Sequence, residues 1–161
     1  MTLEFFNTDI QKLQVKEKIG PKFLRITDID LTTSQINWSN VPYCKISERE
    51  YSKYELNEED ILIARIGATT GKTCIIKNPP KSVFASYLIR FSSNNKVDPF
   101  FIYYFTTSEK YWSEINASKE GKVKKGISSS QLKKFKVPIP PLTIQQKIAS
   151  ILSVIDEKIQ A

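Results

Sequence analysis

The chain has 161 residues, enough for one domain with a substantial core, and its 40% hydrophobic and 25% charged content is that of a folded soluble protein, which excludes wholesale disorder. With 24 Lys+Arg against 17 Asp+Glu the formal charge is +7, a balance that favours a polyanionic partner such as nucleic acid without bearing on fold. There is no histidine, and Cys44 and Cys74 are the only cysteines, so zinc fingers, a disulfide framework and Ser-His-Asp or Cys-His catalysis are excluded; no catalytic residue, metal or cofactor is expected. The two thiols are expected to be reduced and partly buried, as in a cytoplasmic protein.

Residues 1–9 carry Glu4 and Asp9 and lack a basic leader region, so they do not read as a signal peptide. Residues 23–29 (FLRITDI) alternate, with Phe23, Arg25, Thr27 and Ile29 on one face, and predict a strand. Ser47 with Glu50 three residues on forms a capping box for a short helix to about Tyr54. Residues 61–66 (ILIARI) predict a buried strand, 73–77 a second after a glycine turn, and 83–91 (VFASYLIRF) a third. Asp98-Pro99 is a helix start, Asp as N-cap and Pro at the first turn, leading to a helix over 100–112 whose aromatic face packs a core; the uncharged aromatic-rich run 99–108 is far too short to span a bilayer. Residues 121–126 (GKVKKG) are a basic, glycine-bounded loop. Ser128 and Gln131 make another capping box.

Residues 137–141 (VPIPP) must be extended, because each proline fixes its own φ and pushes the residue before it out of the helical region. A last helix is expected to start with Thr143 as N-cap and Gln146 at N3. Along it Ile144, Ile148, Ile151, Leu152, Ile155 and Ile159 recur at spacings of three and four, an apolar stripe. The stripe runs to the end of the chain without a C-cap. That pattern fits a helix cut short, or one completed by another chain. The fold class is α+β: a twisted sheet with short helices over 1–141, followed by a coiled-coil-type helix over 142–161.

Two segments imitate enzyme motifs. Gly67-Ala-Thr-Thr-Gly71-Lys72-Thr73 resembles a phosphate-binding loop, but has three residues between the glycines where four are needed, and a strand follows where a helix should open. A hairpin turn with both glycines in special conformations is expected instead. Asn78-Pro79-Pro80 is similar to a methyltransferase motif whose fourth residue stacks on a flipped base; Lys81 stands there, so the segment reads as a rigid loop.

Four segments, in order, resemble the target-recognition domains of type I restriction–modification specificity subunits. They are 23–29; 59–68 (EDILIARIGA) with Gly71-Lys72 closing the turn; Ala85-Ser86-Tyr87-Leu88-Ile89; and 137–142 (VPIPPL) continuing through Gln145-Gln146-Lys147-Ile148 and Ile151-Leu152. Glu59-Asp60 stands where that family usually has Gly-Asp. The resemblance implies a non-enzymatic module that reads a short double-stranded DNA half-site. It also implies a spacer helix that pairs with a second half or a second copy, and docks methyltransferase subunits and through them the restriction subunit. Such a half would read an interrupted palindrome if it dimerises about a two-fold axis.

On that reading Lys22, Arg25, Arg65, Thr69, Lys72, Ser86, Lys122, Lys124 and Lys125 are the candidate DNA contacts. The loop lysines suit phosphate neutralisation, while Arg25 and Arg65 have the planar fork that can bind guanine; Arg65 has the competing use of pairing with Asp60 or Asp28. The stripe residues Ile144, Ile148, Ile151, Leu152, Ile155 and Ile159 are the candidate partner seam, with packing back onto the same domain as the competing arrangement. The second function class is an interaction protein, a truncated half that pairs with specificity or methyltransferase subunits without useful DNA binding.

Overall fold

The computed structural model describes residues 2–5, 14–15, 19–30, 32–119 and 126–160. Its strands are β1 (Thr2–Phe5), β2 (Gln14–Val15), β3 (Lys22–Leu24), β4 (Tyr43–Cys44), β5 (Ile61–Ala64), β6 (Thr73–Ile75), β7 (Ser82–Phe84) and β8 (Leu88–Ser92). Its helices are α1 (Glu48–Tyr54), α2 (Pro99–Phe105), α3 (Glu109–Lys119), α4 (Ser129–Leu132) and α5 (Leu142–Gln160). One sheet has the antiparallel order β1-β8-β5-β6; the other is β2-β4-β3-β7, in which β3 and β7 run parallel. The mixed helix-and-strand class expected from the sequence is the one observed.

The first sheet is a middle layer. In β5, Ile61 and Ile63 join Ile89, Phe91, Phe101, Ile102, Tyr111 and Ile115 in a core against the helices, whereas Leu62 joins Phe23, Leu24, Val83 and Phe84 in a core against the second sheet. Successive side chains of a strand point to opposite faces, so a strand between two cores must be apolar at every position. That is why β5 reads as an unbroken hydrophobic run. On the β8 neighbour the alternation places Arg90 on the second-sheet side. There it is buried, its guanidinium 3.8 Å from Asp60 and over the Phe84 ring, donating to the carbonyls of Glu55 and Lys53. Burial lowers its pKa and raises that of Asp60.

Several elements differ from the expectation, each for a local reason. The strand over 23–29 stops at Leu24, because Asp28 accepts the Arg25 N–H at 2.9 Å and closes a 3₁₀ turn over Ile26–Asp28. The strand over 83–91 is two strands in different sheets: β7 pairs with β3, and the chain crosses at 85–87 to pair β8 with β5. The aromatic helix breaks after Phe105. Thr106, Thr107 and Ser108 each donate a hydroxyl to the carbonyl three residues back (2.6, 2.7 and 2.7 Å), competing with the helical ladder. The last helix starts at Leu142, two residues before the expected first helical residue Ile144. The N–H groups of Ile144 and Gln145 turn to the Pro141 carbonyl, so Thr143 lies inside the helix and is not its cap.

The other expected caps, the hairpin and the proline loop form as the sequence suggests. Both capping boxes form, at Ser47–Glu50 and Ser128–Gln131, and Asp98 caps α2 by accepting from the Phe101 N–H at 2.8 Å. Gly67 (φ 75) and Gly71 (φ 95) turn the hairpin between β5 and β6. The 78–80 loop joins β6 to β7, with the Asn78 N–H on Glu58 at 2.7 Å. Cys44 and Cys74 are buried free thiols, pushed up to about 11 and about 12 by desolvation. Among the described residues no group of His, Cys, Asp and Glu could hold a metal, and no helix is long and apolar enough to cross a membrane.

Two backbone positions make opposite stability predictions. A Cβ on Gly71, at φ 95, would stand 2.7 Å from the buried Ile115 side chain, so Gly71→Ala should destabilise the fold. The loss should be on the order of 1–3 kcal/mol, from strain and overpacking together. Glu59 adopts φ 65, the left-handed region in which only glycine is unstrained. Glu59→Gly should stabilise by on the order of 0.5–1 kcal/mol, the relief of left-handed strain less the added chain entropy. Thermal or denaturant unfolding checks both signs.

Candidate nucleic-acid interface

Three turns converge at one end of the middle sheet, stitched by backbone hydrogen bonds. Ala85 N donates to Leu24 O at 2.9 Å, which sets Arg25, the next residue, beside the crossover turn 85–87. Arg65 N then donates to Tyr87 O at 3.0 Å, and Ile127 N donates to Arg65 O at 2.8 Å. Ile66 and Gly126 form a bridge, and a Cβ on Gly126 would lie 3.0 Å from the Arg65 carbonyl. Glycine at 126 is therefore what lets the end of the basic loop dock on the hairpin. Segments far apart in sequence thus present Arg25, Arg65, Thr69 and Ser86 at one surface, with Tyr87 and Ile66 exposed between them.

Arg25 is half-exposed. Its Nε and Nη2 donate to the two Asp28 carboxylate oxygens at 2.9 and 2.7 Å, and this pairing, against a smaller desolvation, raises its pKa. Arg65 is half-buried, and desolvation lowers its pKa. Of the two carboxylates weighed beside it, Asp28 binds Arg25, and Asp60 meets Ser92, Asn57 and Arg90. Thr69 and Thr70 turn their hydroxyls onto the carbonyls of Ile66 (3.4 Å) and Gly67 (2.8 Å), which stiffens the hairpin tip.

The other basic candidates do not all meet there. Lys22 is buried, donating Nζ to the Val41 carbonyl at 2.7 Å and resting 4.1 Å from the Tyr43 ring centre, so its charge is used inside the second sheet. Lys72 is exposed at the foot of the hairpin, where it lines a concavity of about 320 Å³ with Thr33, Tyr103, Trp112 and Asp156. An adjoining concavity of about 330 Å³ holds both Asp156 and Glu157. Those carboxylates repel phosphate, which favours the arginine-bearing end as the nucleic-acid surface. Lys122, Lys124 and Lys125 lie outside the described residues.

Helix α5 lies against α2 by a face other than its isoleucine stripe. Gln145 is 0% exposed: its Oε1 accepts the Asp98 N–H at 2.9 Å, and its Nε2 donates to the carbonyls of Pro140 (2.8 Å) and Lys96 (3.3 Å). Ala149 is buried one turn on and Leu152 is half-buried. Burial, with a smaller part from Asp156, pushes the Tyr104 hydroxyl up to about 12 against its hydrogen bond to Ser153, a further contact between α2 and α5. Ile144, Ile148, Ile151, Ile155 and Ile159 are all exposed, Ile151 at 62%. Of the six stripe residues only Leu152 is half-buried; the five isoleucines are exposed. Sequence reasoning missed Asp28 and Gln145; the i,i+3 spacing of Arg25 and Asp28 was the available signal for the first, while a glutamine in an amphipathic helix gives none.

The architecture is thus a mixed domain with a basic, turn-built surface and an arm helix whose apolar stripe faces outward. The family model of the type I restriction modification DNA specificity domain matches residues 8–161, and the chain belongs to that family, with one recognition domain. It is 30% identical over 163 residues to a putative type I restriction enzyme MjaX specificity subunit of Methanocaldococcus jannaschii, covering 98% of this chain and 38% of that protein. It is 27% identical over 118 residues to the MjaVIII specificity subunit of the same organism, covering 73% of this chain and 26% of that one. The chain therefore spans well under half the length of these relatives.

Two solved structures share the fold. One is a chain from work on complex assembly and conformational transition of the type I R-M system, with TM-score 0.73, 17% identity and coverage of 98% of this chain and 36% of that one. The other is the HsdS subunit from Thermoanaerobacter tengcongensis, with TM-score 0.69, 16% identity and coverage of 99% and 35%.

Replacing Gln145 by alanine strands the Asp98 N–H and two carbonyls in a dry junction. Gln145→Ala should cost about 1–3 kcal/mol in unfolding free energy. Hydrogen exchange should show faster exchange at α5 and at the start of α2 than in the middle sheet.

Proposed function

We propose that this chain recognises a short double-stranded DNA half-site with the arginine-bearing end of its middle sheet. It would do no chemistry of its own, in a cytoplasmic restriction–modification assembly. The observation that carries this reading is the chain of backbone hydrogen bonds that gathers Arg25, Arg65, Thr69 and Ser86, each partly exposed, from three separate turns to one end of the middle sheet. A turn-built surface suits base readout, since the sheet holds the turns rigid while their side chains stay free to differ. Residues 1–141 form the recognition unit and 142–161 the start of the spacer. Lys124 and Lys125, with the loop end docked at Gly126, supply phosphate contacts that set register and carry no sequence information.

The stripe on α5 is the second half of the proposal. Ile144, Ile148, Ile151 and Ile155 follow spacings of four, three and four, the pattern of a coiled-coil seam, and all four are exposed. A second half or a second copy closes that seam. Methyltransferase subunits, and through them the restriction subunit, dock on the paired arms, and two halves read a bipartite target whose gap grows with arm length at about 1.5 Å per helical residue.

Selection from random duplex pools should enrich a short site. Lys124→Ala with Lys125→Ala should weaken binding to all sequences alike and flatten the salt dependence by up to about two phosphate contacts. Uniform, salt-tracking binding by the unaltered chain would show that it does not read sequence. Deleting α5 is a poor test of the seam, because Gln145 and Ala149 are buried in the domain. Ile148→Asp with Ile155→Asp should instead abolish self-association or pairing in sedimentation while leaving the unfolding midpoint little changed. An unchanged mass would refute the seam.

A further inference from the structure

The Arg25–Asp28 pair sits at the proposed DNA surface but is poorly made for gripping phosphate. The Asp28 carboxylate side chain is 7% exposed and takes the Nε–Nη2 edge of the guanidinium, so the pair as a unit carries no net charge. A neutral unit releases few counterions and contributes little to backbone affinity. What it keeps is direction. The Arg25 side chain is 35% exposed, and its other edge, Nη1 with the second N–H of Nη2, makes no hydrogen bond among the described residues. That edge is a planar pair of donors, the shape that matches the O6 and N7 acceptors of guanine in the major groove. Neutral acceptors of this kind reward aim more than charge.

We infer that Arg25 is a guanine-reading fork and that Asp28 is its positioning residue, clamping one edge so that the other faces the groove. The inference rests on the DNA-recognition reading above. The turn supports it, because a single carboxylate does two jobs: Asp28 Oδ2 accepts the Arg25 N–H at 2.9 Å as well as Nε at 2.9 Å, so backbone and side chain of the same residue are fixed by one group. The Ala85–Leu24 hydrogen bond then places this fixed arginine next to the crossover turn that carries Ser86 and Tyr87. An arginine held this way loses less freedom on binding than one on an open loop, and it discriminates by geometry.

The test is duplex-pool selection by the full chain and by Arg25→Lys and Asp28→Asn, scored against a scrambled duplex of equal length. Arg25→Lys keeps the charge and removes the fork. It should hold affinity for the scrambled duplex within about twofold while guanine preference at one position of the site falls about 5- to 150-fold. Asp28→Asn keeps a carbonyl for the Arg25 N–H and removes the charge. It should lower the same guanine preference while affinity for the scrambled duplex holds or rises.

A third arm needs no variant: 7-deazaguanine at that position, which lacks the N7 acceptor, should weaken binding of the unaltered chain there and not at other guanines. If both variants shift only the unfolding midpoint and leave the selected site unchanged, the pair is structural and the inference is overturned. If specific and scrambled affinities fall together, Arg25 contacts phosphate and the inference is again overturned. Failure of the unaltered chain to enrich any site sinks the DNA reading itself, a result distinct from both.

Discussion

Strand β5 is buried on both faces, and the arrangement of the molecule follows from that demand. A strand that offers Ile61 and Ile63 to one side and Leu62 to the other needs two separate apolar layers, one built of helices and one of a second sheet. Neither layer could serve alone, since an uncovered face would leave large aliphatic side chains in water at a cost of about 1.5–3 kcal/mol each. The antiparallel neighbours β6 and β8 repeat the alternation with Cys74 and Ile75, Leu88 and Ile89. With both faces of β5 covered, the turns at the strand ends are where this sheet meets solvent-exposed Ile66 and Tyr87.

That geometry explains why the candidate interface is made of turns. The hairpin after β5 and the crossover before β8 leave the sheet at the same end, because Ala64 pairs with Leu88. The parallel pairing of β3 with β7 brings the end of β3 to the same place. The strands hold the three turns in fixed relation. The Thr70 hydroxyl-to-carbonyl bond and the carboxylate clamp on Arg25 limit motion where recognition would occur.

Helix α5 divides its faces between two tasks. One face is tied down by a polar lock, the buried Gln145 amide using both donors and its acceptor on the 96–98 segment and the Pro140 carbonyl. A hydrogen-bonded amide sets the direction of a helix more sharply than a greasy contact, which tolerates sliding. The flank beside it carries exposed isoleucines at coiled-coil spacing. The polar junction fixes how α5 leaves the domain while its isoleucines stay exposed.

Much of this was readable from residue order alone. The capping boxes at Ser47 and Ser128, the Asp98-Pro99 helix start, the glycine hairpin and the isoleucine stripe all depend on neighbours within four residues, so local chemistry determined them. The order of the motifs pointed to the family before any contact was known. What sequence could not supply were outcomes decided by distant partners. The run 83–91 reads as one strand, yet its two halves belong to different sheets, because β3 captures one and β5 the other. Lys22 and Arg25 look alike as basic residues three apart, but the packing around Val41 and Tyr43 buries one and leaves the other half-exposed on Asp28. Gln145 and Gln146 are adjacent and chemically identical; only the fit of α5 against α2 decides which becomes the lock. Sequence determined the caps, the hairpin and the stripe, and tertiary packing decided which charges reach the surface, because burial depends on neighbours that the chain brings together only on folding.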